Sequence, residues 1–84
     1  MADVFASIRS SLNALSDEVD ATGTPYQQTV LRVFSLIEFS AEAIVARDGR
    51  LSPERRRQLA MAKACIEQGD PEACRSHILT AIRP

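Results

Sequence analysis

Three short stretches punctuate the chain: "GTPYQ" (23–27), "GRLSPER" (49–55) and "GDPEA" (69–73). In each, a glycine precedes a small polar residue and a proline. Glycine accepts the left-handed backbone that closes a helix. Thr, Ser or Asp offers a side-chain oxygen to the free N–H groups of the next helix start. Proline at the first helical position wastes no donor and brings a preset φ. Thr24 and Gln27 also have the three-residue spacing of a capping box. Three such junctions leave four segments, each with helical periodicity and none with the alternation of a strand. They predict helices over about 3–20, 25–48, 53–68 and 71–83 in one domain, 1–84.

The first segment carries Phe5, Ile8, Leu12, Leu15 and Val19, a narrow stripe with a serine-rich back. The second is the longest, about 36 Å if fully helical. Its main stripe is Tyr26, Val30, Val33, Phe34, Ile37, Ala41, Ile44 and Val45. The third offers Leu59, Ala62, Cys65 and Ile66; the fourth offers Cys74, Ile78, Ala81 and Ile82. Short connections favour antiparallel neighbours. The expected fold is an all-α, four-helix up-and-down bundle with the longest helix second.

A domain of 84 residues has one small core, burying roughly 60–65% of its unfolded surface. A formal charge of −1 gives no global attraction to nucleic acid or membrane,. No apolar run nears the ~18–20 residues of a bilayer span. The opening "MADVFASIRSSLNALSDEVD" mixes acids with apolar residues instead of presenting a signal peptide's apolar block,. A cytoplasmic location follows as the expectation, and two cysteines there stay reduced.

Cys65, Cys74 and His77 form the one constellation with chemical potential. A zinc site wants a fourth ligand, which is not evident. A Cys–His nucleophilic pair needs an oxyanion partner and a cleft. A disulfide across the turn fits sterically but not the compartment. Small core residues flanking a hinge is the preferred account. The stretch "RQLAMAKACIEQGDPEACRSHI" (57–78) resembles the final helix pair of the ligand-binding domain in FadR-type GntR transcription regulators. The resemblance covers about a quarter of the chain and centres on "GDPEA", turn-and-cap chemistry common to many helical hairpins. It implies a hairpin there but no metal site, because Ala81 falls near where that family has its histidine. The likeness is one of the hairpin, and no family is assigned on it.

Two surfaces remain. Leu36, Phe39 and Ala43, with Ala46 nearby, form a second apolar strip on the long helix, roughly opposite the main one at ~100° per residue. An exposed Leu–Phe strip invites a partner, and closed two-fold dimers are the commonest oligomers. The segment 47–57 carries five arginines against two acids, +3, while the rest of the chain sums to −4. Arg50, Arg55, Arg56 and Arg57 are candidates for an anion or acidic partner. Arg55, Arg56 and Arg57 are consecutive, so they fan around a helix, and no aromatics interleave for stacking on bases. Glu38 and Glu42 sit one turn apart without a histidine to make a metal pair,. No phosphate loop or His-Glu-x-x-His pattern occurs. The expectation is a non-catalytic helical interaction module, a regulator or adaptor without cofactor, forming a homodimer or binding another protein. The alternatives are a nucleic-acid-associated regulator using Arg47–Arg57, or an accessory subunit of a larger complex.

Overall fold

The computed structural model describes residues 3–20 and 26–84, and the side chains of 16–20 fall outside that description. Helix α1 spans Val4–Asp20, α2 Tyr26–Asp48, α3 Pro53–Glu67 and α4 Pro71–Ala81. No strand forms among the described residues. Gly23, Thr24 and Pro25 of the first punctuation mark, and with them the Thr24 cap, lie outside them, as does the Val19 side chain. The other two marks work by the expected chemistry. Gly49 and Gly69 take positive φ, 81° and 85°. Ser52 and Asp70 accept from the amides of Arg55 and Ala73, and Pro53 and Pro71 open their helices. At the end of α3 the Gly69 amide donates to the Ile66 carbonyl and the Asp70 amide to Cys65, which satisfies carbonyls the helix leaves free,.

The core gathers Ile8, Leu12 and Leu15 from α1, Val33 and Ile44 from α2, Leu59, Ala62 and Ile66 from α3, and Cys74, Ile78, Ala81 and the following Ile82 from α4. Each fully buried Leu or Ile contributes about 1.5–3 kcal/mol relative to exposure. On α2 the buried line differs from the expected one. Its deepest residues are Thr29, Val33, Ser40 and Ile44. Val33 and Ile44 belong to the edge of the main strip, and Thr29 and Ser40 fall between it and the second strip, so both strips are flanks of one broad buried arc. The two hydroxyl residues disguised the centre of that arc. Ser40 is fully buried because its Oγ donates to the Leu36 carbonyl at 2.7 Å, a local bond that removes the cost of burying a hydroxyl.

Helices α3 and α4 pair most closely; α2 lies against α1 and α3, and α1 also touches α4. Ala62, Ala81 and Cys74 are fully buried, and side chains this small let helix axes approach. The molecule is a slab of 40 × 29 × 16 Å, thin enough for two helical layers,. None of the described helices is long and apolar enough to cross a membrane.

Candidate functional site

The strip Leu36, Phe39 and Ala43 is divided by the fold. Leu36 and Ala43 are half-buried and pack on the core, whereas Phe39 remains 44% exposed. Phe39 and Leu36 border a cleft of about 390 Å³ between α1 and α2, walled by Ser11, Ala14, Leu15, Arg32, Val33 and Ser35. The cause is a mismatch of widths. The apolar stripe of α1 is narrow and its flank on the cleft is Ser11 and Ala14, too small to cover the broad arc of α2. Ala43 does not line the cleft. Leu31 is more exposed, at 64%, and lines a separate hollow with Tyr26, Gln27, Val30 and Glu67.

The arginine segment splits in two directions. Arg47 and Arg55 turn inward and close the end of α4. Arg47 Nη1 donates to the Ile82 carbonyl at 2.9 Å and its Nη2 to Arg83 at 3.1 Å. Arg55 Nη1 donates to the Ala81 carbonyl at 2.6 Å and also to that of Arg83. Asp48 sits between the two guanidiniums, 2.8 Å from Arg47 Nε and 3.6 Å from Arg55 Nε. The hydrogen bond from Arg47 holds the Asp48 carboxyl below its ordinary value, and the same bond raises Arg47. Arg47 also lies 4.5 Å from the centre of the Phe5 ring, tying α1 to the cluster,. From sequence, Arg55 is a cation misplaced at a helix N-terminus. Arg55 keeps that place in the first turn of α3, but its side chain reaches the C-terminus of α4, where the dipole favours it,.

Arg50, Arg56 and Arg57 are exposed. Of the four arginines singled out in the sequence, only Arg50 and Arg55 share a concavity, a polar bowl of about 430 Å³ that Ser52, Gln58, Thr80 and Arg83 help to line. The last three carry no sequence signal for such a role, since only the α3–α4 pairing brings them together.

Cys74 is fully buried and Cys65 half-buried, and both are free thiols. Burial foremost, with Cys65 and Asp70 adding, pushes the Cys74 thiol up to about 11, so it stays protonated, unlike a nucleophile or metal ligand. His77 Nδ1 is 2.8 Å from Gln58 Oε1, a bond between α4 and α3. No group of three or more His, Cys, Asp or Glu among the described residues is placed to hold a metal ion. Leu79 of α4 is half-buried and packs against the core. Tyr26 makes a contact the sequence did not announce: its hydroxyl donates to the Ile66 carbonyl at 2.7 Å.

Comparison with protein-family models, curated proteins and solved structures finds no match to this chain.

Proposed function

We propose that this chain is a small non-catalytic interaction module, an up-and-down four-helix bundle that works by joining a second copy of itself through the α1–α2 face. The observation that carries the proposal is Phe39, 44% exposed beside an apolar cleft. Left in water it forfeits transfer free energy of about 25 cal/mol per Å² of apolar surface. Knob and cleft lie next to each other on one face. A two-fold axis through such a face sends each knob toward the other copy's cleft, the self-complementarity an isologous contact needs. Arg32 and Ser35 border the cleft and supply the polar rim usual around an apolar centre. The arginine segment supports a nucleic-acid role less well, because Arg47 and Arg55 are committed to the end of α4.

Sedimentation equilibrium at micromolar concentration tests the proposal. The expected result is a dimer that Phe39→Asp converts to a monomer of unchanged helicity. A wild-type chain that remains monomeric throughout that range overturns it.

A further inference from the structure

The bowl between the start of α3 and the end of α4 lies apart from the Phe39 face. We infer that it binds a small phosphate monoester. Its lining carries three guanidiniums, Arg50, Arg55 and Arg83, with Ser52, Thr80 and Gln58 as neutral hydrogen-bonding groups. About 430 Å³ is the size of a small-molecule site,. Two acidic side chains line the bowl as well, beside Pro84, and their situations differ. Asp48 is already engaged by Arg47 and Arg55, so its charge is largely compensated. Glu54 stands exposed at the edge, where it can accept from a ligand hydroxyl.

Arg55 is held in place by the Ala81 carbonyl and by Asp48. It supplies a fixed positive wall at little further entropic cost. Neither the Arg50 nor the Arg83 side chain makes a hydrogen bond or ion pair among the described residues, so both forks are available. Two forks need more acceptors than one carboxylate comfortably offers, whereas a phosphate monoester presents three oxygens and up to two charges. The start of α3 is already capped by Ser52. The basic side chains therefore carry the recognition, and the helix dipole does not.

The test is a titration of the whole chain with glycerol phosphate at low salt, followed by amide chemical shifts. Saturable shifts confined to residues near 48–58 and 80–83 are expected, with a dissociation constant of about 0.1–1 mM. Arg50→Gln and Arg83→Gln each weaken binding roughly tenfold. Arg57→Gln removes the same charge from an exposed position outside the bowl and leaves binding unchanged. Absence of saturable shifts overturns the inference. So does an equal loss in Arg57→Gln, which would mean diffuse attraction, or an equal response to glycerol alone.

Discussion

The α3–α4 hairpin and the α1–α2 pair are built from similar helical segments, yet the apolar seam of the first is closed, its one bowl being polar, while the second leaves an apolar cleft. In the hairpin, Ala62, Cys74 and Ala81 are buried alongside Ile66 and Ile78, and both junction residues are capped. The free carbonyls at the end of α3 are met by Gly69, Asp70 and the Tyr26 hydroxyl. Those at the end of α4 are met by Arg47 and Arg55. Between α1 and α2 the apolar widths do not match, and a cleft with Phe39 beside it is the remainder. The contrast teaches that closure depends on how well facing stripes agree in width. Their average hydrophobicity matters less.

The largest expected effect sharpens that contrast directly. Ile66 is fully buried in the hairpin, and Ile66→Ala should cost about 2–5 kcal/mol of unfolding free energy. A domain of this length has only about 4–12 kcal/mol in total, so the variant should melt far earlier. Leu36→Ala, on the flank beside the open cleft, should cost about 1–2 kcal/mol, because its neighbours already face solvent on one side. Urea unfolding of both variants measures the pair. Equal losses would mean that the two regions are packed alike, and would break the comparison.

Much of the hairpin was readable in the chain because its signals are local. Glycine, cap residue and proline stand in consecutive positions, and the geometry they impose is independent of the rest of the fold. The junctions at Gly49–Pro53 and Gly69–Pro71 therefore fall where the sequence puts them. The face of α2 was harder. Ser40 and Thr29 are polar residue types and carry no apolar signal, yet both are buried, Ser40 with its hydroxyl bonded to its own helix. Phe39 was readable as an unusual apolar position, but its actual exposure depends on how little of α2 the narrow α1 covers. The fate of Arg55 was the least accessible. Its partner carbonyls lie 26 and 28 residues away, and a backbone acceptor leaves no trace in residue identity.

Arg47 joins the two regions, so its removal tests whether they fold as one. It touches Phe5 of α1, Asp48 at its own helix end, and two carbonyls past α4. Arg47→Met keeps much of the stem and removes the fork; about 1–2 kcal/mol should be lost. Arg47→Lys retains the charge but cannot serve both carbonyls and the carboxylate at once, so it should recover only part. Thermal melts of the two variants decide the matter, and full rescue by lysine would reduce the role of Arg47 to its charge.

The smallest effect concerns pH. Asp48 is held below its ordinary value of 3.8, chiefly by the hydrogen bond from Arg47. Its unfolded form therefore takes up a proton before the folded form does. Stability from the ionised carboxylate is fully present above the ordinary value and is lost as pH falls through the lower folded value. The pair is partly exposed, so the contribution is modest and salt weakens it. Melting curves of the wild type and Asp48→Asn should differ at neutral pH and converge in acid. The same convergence should follow from added salt at neutral pH. A gap that persists unchanged to about pH 2 would show that the carboxylate matters by shape alone. The cluster closing α4 would then owe its strength to the backbone carbonyls, and only the hydrogen bonds, not the charges, would distinguish the sealed half of the molecule from the open one.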